Sequence, residues 1–187
     1  MKKLIIKTCI LTLIIILAVG FSVFGLISIT SPKIIANSAF RLNAKTTCIN
    51  YSVKQYEKTE SVADLAVLVE RTAWANDYEL TAKYAPILLS NGDFSDYVLE
   101  NKDAGYEKYI ASLFVESLYK TGNKNKSIEV AFSYYSGESG SNTVRIIILT
   151  AKNDTETLNA ILKKLKAIEN KTEETNYLIE QINNLIK

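Results

Sequence analysis

The longest uninterrupted apolar stretch lies near the start of the chain, where residues 8–32 include no charged side chain. As an α-helix, its core of residues 9–29 would extend about 30 Å, the thickness of a bilayer's hydrocarbon core. The pattern therefore predicts a transmembrane helix that contacts the lipid bilayer through residues 8–31. Three lysines precede the stretch: Lys2, Lys3 and Lys7.

These lysines also predict an orientation. The positive-inside rule places the N-terminus in the cytoplasm. We therefore expect residues 1–32 to form a cytoplasmic stub and anchor, and residues 33–187 to form an extracytoplasmic domain of a single-pass protein of the cell membrane.

The alternative is a secreted helical protein whose signal peptide is cleaved. A signal peptide has a shorter apolar region of about 7–15 residues, followed directly by a small-x-small site. The nearest such site, residues 36–38, lies beyond Pro32 and Lys33, which favours the anchor.

After residue 32, apolar positions recur with the period of an α-helix, and the strand signal is nearly absent. The pattern predicts an all-α domain with at least seven helices in consecutive antiparallel hairpins. Residues 144–148 alone also fit a short buried strand, but helical patterns flank them on both sides. Residues 91–105 are the least regular part, with one short helix expected there. A typical stripe comprises Val62, Leu65, Ala66, Val69 and Ala73.

Several residues mark the predicted helix ends. Ser61 is a candidate N-cap, with Asp64 in the first turn that follows. Pro86 lies inside a helical pattern and should kink it. We expect residues 172–187 to form a last helix that caps the domain, since its broad apolar stripe needs a surface to pack on. Turns are expected at Asn43-Ala44, Asn76-Asp77, Gly122-Asn123 and Asn153-Asp154.

These turns recur at roughly the spacing of a helical repeat, and residues 33–169 resemble tetratricopeptide-type (TPR-like) repeats, which have a helix–turn–helix unit of about 34 residues. The best match is residues 106–135, where small Ser127 and Ala131 follow Gly122-Asn123. The Trp and Leu-Gly signature of the family is absent, and the fourth unit has Leu158 where a small residue is expected. The resemblance implies an α-solenoid that binds peptides or partner proteins in a groove. An irregular helical bundle is the alternative.

Charge and composition exclude several classes of function. Residues 33–187 contain all 20 acidic residues and all but three of the 22 basic ones, so they form no basic surface for nucleic acid. The chain has no histidine, which removes the commonest general base and metal ligand.

The two cysteines are not expected to form an intrachain disulfide, because Cys9 lies in the predicted membrane span and Cys48 lies in the domain that follows it. Cys48 is expected to be a buried small apolar residue, with an intermolecular bridge as the alternative. The abundance of Lys, Asn and Ile is typical of a low-GC bacterium.

Candidate chemical groups are few. Asp93, Asp96, Glu100 and Asp103 form an acidic stretch, but they lack the ligand order of a calcium loop. Glu173 and Glu174 are explained by the dipole at a helix N-terminus. The sequence therefore assigns no catalytic, cofactor-binding or metal-binding residue, no cofactor and no small-molecule substrate. It leaves the residues of any binding site unknown.

Two functions from different classes follow. The first is a membrane-anchored, non-enzymatic scaffold that presents a groove between helices to a protein or peptide at the outer face of the membrane. The second is a cell-envelope enzyme that works through carboxylates without histidine, which requires two carboxylates about 5–10 Å apart in one cleft.

Overall fold

The computed structural model describes residues 2–137 and 140–187, with the side chains of all these residues except 2–9, 27 and 29. Across this part of the chain the structure is all-α, with eleven helices and no strand. The predicted all-α class is confirmed. The chain divides into two units, residues 1–60 and residues 61–187. The expected boundary at residue 32 lies within the first unit.

The first unit contains α1 (Lys2–Thr30), α2 (Pro32–Arg41) and α3 (Lys45–Thr59). Pro32 is the first residue of α2. The backbone N–H at this position has no partner within a helix, so proline loses no hydrogen bond there. Asn43, in the turn between α2 and α3, has a φ of 54°, a left-handed conformation that asparagine tolerates better than most residues. The α2–α3 pair buries apolar and small side chains, among them Ile35, Ala36, Ala39, Cys48 and Ile49. Cys48 is buried, as expected.

The predicted transmembrane anchor is wrong. Among the residues that the structure describes, none of the helices combines the length and the apolar character needed to cross a membrane. The predicted single-pass localisation, with residues 8–31 as its anchor, is overturned with it.

The second unit contains the remaining helices, and local signals explain where they begin. Ser61 accepts a hydrogen bond from the backbone N–H of Asp64, and Asp77, Asp154 and Thr172 cap their helices in the same way. The helices are α4 (Val62–Ala75), α5 (Tyr78–Leu89), α6 (Phe94–Asn101), α7 (Tyr106–Lys120), α8 (Lys124–Ser133), α9 (Ser141–Thr150), α10 (Thr155–Lys166) and α11 (Glu173–Ile186).

The packing of the second unit follows the order of its helices. α5 packs between α4 and α7, and α7 packs against both α8 and α9. The main core lies among α7 to α11, and most of its side chains are fully buried. Residues 144–148 lie in α9, so the helical interpretation of that segment is confirmed. The core comprises Val115, Ile128, Ala131, Val144, Ile147, Ile148, Ala151, Leu158, Ile161, Leu162, Leu165, Leu178 and Ile182.

Small polar side chains stand where helices approach closely. The Ser127 hydroxyl in α8 donates to the Val115 carbonyl in α7 at 2.7 Å, and the Thr143 hydroxyl in α9 donates to the Ala131 carbonyl in α8 at 2.8 Å. Ser127, Thr143 and Ala131 are fully buried. Because each hydroxyl satisfies a carbonyl of the neighbouring helix, these contacts keep α7, α8 and α9 in close register at no cost in unpaired polar groups.

Candidate functional site

An open groove of about 480 Å³ lies between α7 and α9. We call it the central groove. Its walls mix apolar side chains with polar and charged ones, and glycines stand at the start of each helix. The lining comprises Gly105, Lys108, Tyr109, Ser112, Leu113, Glu116, Gly140, Ser141, Asn142, Arg145, Ile146 and Leu149.

The helical period explains which side chains reach this groove. In α7 the buried face carries Ile110, Phe114 and Ser117, and Tyr109 and Leu113 precede two of these positions by one residue. A shift of one residue turns a side chain by about 100° around the helix. Tyr109 is therefore 47% exposed although it belongs to the same apolar stripe in the sequence.

Two further cavities adjoin the central groove through shared residues. The acidic pocket, of about 720 Å³, shares Gly105 and Tyr109 with it. The C-terminal pocket, of about 360 Å³, shares Leu149. The three cavities therefore form one continuous surface of the second unit. The acidic pocket also contains Glu70, Glu100, Asn101, Lys102, Asp103 and Tyr106, and the C-terminal pocket contains Lys152, Tyr177, Glu180, Gln181, Asn184 and Leu185.

The acidic pocket is built around the carboxylate of Glu70 from α4. The Tyr106 hydroxyl donates to Glu70 Oε1 at 2.8 Å, and the Lys102 ammonium lies 3.5 Å from the same oxygen. The Lys102 ammonium also lies 4.4 Å from the centroid of the Tyr106 ring. Burial, followed by the hydrogen bond to Glu70, raises the pKa of the Tyr106 phenol well above its usual range. The phenol therefore remains a neutral donor to the carboxylate.

Arg145 forms the boundary between the central groove and α11. Its guanidinium donates from Nε and Nη2 to the two carboxylate oxygens of Glu174, each at 2.9 Å. The guanidinium also lies 5.4 Å from the centroid of the Tyr177 ring. This fork-to-fork geometry fixes a long side chain in a single orientation. The charge of Arg145 is thereby balanced within the chain.

The C-terminal pocket has both polar and apolar residues in its lining, but most of the surface that it exposes is apolar. Tyr177 is 51% exposed and Leu185 is 40% exposed. Leu149, which it shares with the central groove, is 56% exposed. Among the described residues, Gln181 carries the one buried side-chain oxygen without a hydrogen-bond partner, Oε1. Such an atom favours a ligand or water that can donate to it.

The acidic stretch singled out in the sequence is solvent-facing. Asp93, Asp96, Glu100 and Asp103 are all exposed. In the described part of the chain, no three histidine, cysteine or acidic side chains converge to hold a metal ion. Glu100 and Asp103 nevertheless line the acidic pocket together with Glu70. The carboxylate-enzyme hypothesis stays a prediction.

The sequence did not reveal the residues that form this surface. Glu70 and Tyr106 lie 36 positions apart, and Arg145 and Glu174 lie 29 apart, so no local pattern links them. One feature of the sequence could have indicated this surface. α7, α9 and α11 contain more apolar positions than a single buried helix face accounts for. No protein-family model, no curated protein and no solved structure matches the chain.

Proposed function

We propose that this chain is a protein-interaction module that binds a short segment of a partner protein along the central groove. The supporting observation is the continuous surface formed by the groove and its two adjoining pockets. Its exposed apolar side chains come from three different helices, with Tyr109 in α7, Leu149 in α9, and Tyr177 and Leu185 in α11. Apolar side chains gathered in a concave surface are typical of recognition sites.

A peptide segment suits this groove better than a compact small molecule. Burying exposed apolar side chains contributes about 25 cal/mol per Å², and a chain that runs from one pocket to the next buries all of them. Asn142 is exposed at the groove, and its carboxamide can both donate to and accept from a peptide backbone. The groove thus offers apolar contacts for side chains beside a polar group for the main chain.

The packing of the helices also favours a scaffold. α5 packs against α7, and α7 packs against α9, so alternate helices lie side by side and their surfaces join. This arrangement supports, for the second unit, the stacked-hairpin architecture that the tetratricopeptide resemblance implies. In such stacks one layer of helices lines an extended binding surface.

Selection of short random peptides displayed on phage, with the full chain as bait, tests the proposal. Peptides that bind are then measured against two matched variants by fluorescence anisotropy. Leu149→Glu places a charge in the groove, whereas Leu99→Glu makes the same change at an 82% exposed leucine of α6 that lines none of the three cavities.

We expect Leu149→Glu to lower the affinity of the selected peptides at least about tenfold, as at an interface hot spot. Leu99→Glu should leave their affinity unchanged. The proposal is overturned if no peptide is enriched. It is also overturned if the enriched peptides bind the Leu149→Glu variant as tightly as the original chain.

A further inference from the structure

We propose that the acidic pocket binds a cationic side chain, lysine or arginine, of the segment that lies in the central groove. This inference rests on the proposed function and adds the chemistry of one end of the bound segment. It follows from an excess of carboxylates, an aromatic ring at the mouth of the pocket, and a lysine of the chain itself that shows how a cation is held there.

The charges of the pocket do not balance. Its lining holds three carboxylates, those of Glu70, Glu100 and Asp103, against the single ammonium of Lys102. Glu100 and Asp103 are exposed, so a ligand can reach them. An excess of negative charge in a concave surface with protein walls attracts a further cation more strongly than an open surface does.

Lys102 shows how this pocket coordinates a cation. Its ammonium is held by the Glu70 carboxylate at 3.5 Å and by the face of the Tyr106 ring at 4.4 Å. A carboxylate on one side and an aromatic face on the other is the arrangement that stabilises lysine and arginine side chains. A cation supplied by a partner would meet the same two kinds of group.

Tyr109 provides the second aromatic face. It lines both the acidic pocket and the central groove, and its ring centroid lies 5.9 Å from that of Tyr106. Burial, with a smaller effect of Glu70, raises the pKa of its phenol, so the ring stays uncharged and its face can accept a cation. A segment in the groove therefore places a basic side chain over Tyr109, between the two cavities.

A pair of small probes tests the charge requirement directly. N-acetyl-arginine methylamide is titrated into the full chain and followed by the backbone amide resonances of Gly105 and Tyr109. The matched probe, N-acetyl-citrulline methylamide, has nearly the same shape and no charge. We expect the arginine probe to shift both resonances, with an affinity that falls as salt is added, and the citrulline probe to leave them in place.

Three variants locate the site. Tyr109→Leu should lower the affinity of the arginine probe about two- to fivefold, the usual range for an exposed cation–π contact. Tyr109→Phe keeps an aromatic ring and should not lower it. Lys102→Met removes the competing ammonium and should tighten binding. Equal binding of the two probes, shifts confined to residues outside the pocket, or no effect of Tyr109→Leu would each overturn the inference.

The failure of this inference and that of the proposed function are distinguishable. If phage-selected peptides bind the central groove but replacing each basic residue by citrulline costs no affinity, the cation subsite is overturned and the groove stands. If no peptide is enriched, the proposed function is overturned, and the arginine and citrulline probes alone decide whether the pocket binds cations.

Discussion

Arg145 in α9 and Glu174 in the first turn of α11 form a two-point ion pair, with both hydrogen bonds 2.9 Å long. The pair joins the wall of the central groove to the last helix of the chain. Because the same guanidinium lies over the Tyr177 ring, the ion pair also sets the position of an exposed aromatic side chain in the C-terminal pocket. Glu174 thus acts on the groove without lining it.

The strength of this pair can be measured. We expect Glu174→Gln to lower the free energy of unfolding by about 1 kcal/mol, because Arg145 is partly exposed and the pair is only partly shielded from water. A double-mutant cycle with Arg145→Met in urea isolates the coupling energy. Glu173→Gln, at the exposed neighbouring residue, is the matched control, because it removes the same kind of charge from the first turn of α11, and it should lower stability less than Glu174→Gln. A cycle with no coupling energy would contradict the structural role of the pair.

Ile182 should be a critical residue for α11. Its side chain is fully buried in the main core, next to Leu178. Ile182→Asp removes this apolar contact and buries a charge, so we expect a loss of at least about 3 kcal/mol in thermal or urea unfolding. Leu185→Asp introduces the same residue about one helical turn later, at a partly exposed position. This change should lower the free energy of unfolding far less. Equal effects of the two changes would mean that α11 is not packed as described.

Asp154 predicts a loss of stability in acid. Its carboxylate accepts hydrogen bonds from Lys124 at 2.7 Å, from Thr157 at 2.7 Å and from Tyr119 at 2.9 Å. The Lys124 ammonium, followed by Thr157, lowers the pKa of Asp154 below its ordinary 3.8. A carboxyl group with a depressed pKa contributes stability that is complete above the pKa of the unfolded state and is lost as the pH falls from that value through the lower pKa of the folded state.

We therefore expect Asp154→Asn to reduce stability in urea at neutral pH, and the difference from the original chain to shrink below pH 3.8. Asp93→Asn is the control, because Asp93 is exposed and its side chain makes no capping hydrogen bond to α6. A difference between Asp154→Asn and the original chain that stays constant from neutral pH to strong acid would show that the ionised carboxylate contributes nothing.

Gly140 should tolerate no side chain. Its φ of 81° lies in the left-handed region, and a Cβ would overlap the backbone carbonyl of Tyr134. Gly122 has a similar φ of 86° but open space around it, and Gly92 has open space and no positive φ. We expect thermal unfolding to rank the alanine variants: Gly92→Ala neutral, Gly122→Ala costing about 1 kcal/mol for backbone strain, and Gly140→Ala costing more. An unaffected Gly140→Ala variant would contradict the geometry of the loop before α9.

Local signals in the sequence located the helix ends well. Ser61 caps α4 through its side-chain oxygen, as predicted, since an N-cap depends only on the three residues that follow it. Three of the four expected turns contain a residue with positive φ, at Asn43, Asn76 and Gly122. Asparagine and glycine adopt that conformation at little cost wherever they stand, so their presence alone indicates the turn.

The helical periodicity also indicated which core positions are buried, but it did not indicate which apolar side chains at the edge of a stripe stay exposed. Ile110 and Phe114 are buried as their stripe predicts, whereas Tyr109, in the same stripe, is half exposed. How much of a broad stripe is covered depends on how many helices pack on it, and the pattern of one helix carries no such information. The prediction of an anchor from the charge-free stretch at the start of the chain was wrong.

The sequence by itself determined the helical class, the N-cap of α4 and four of the turns between helices, because these depend on contacts between residues a few positions apart. Only the tertiary structure decided the candidate site. Glu70 meets Tyr106 and Lys102, and Arg145 meets Glu174, across distances in the chain that no helical period spans. Pairs of this kind form because several helices pack in one particular arrangement, and that arrangement depends on the summed packing of the whole core.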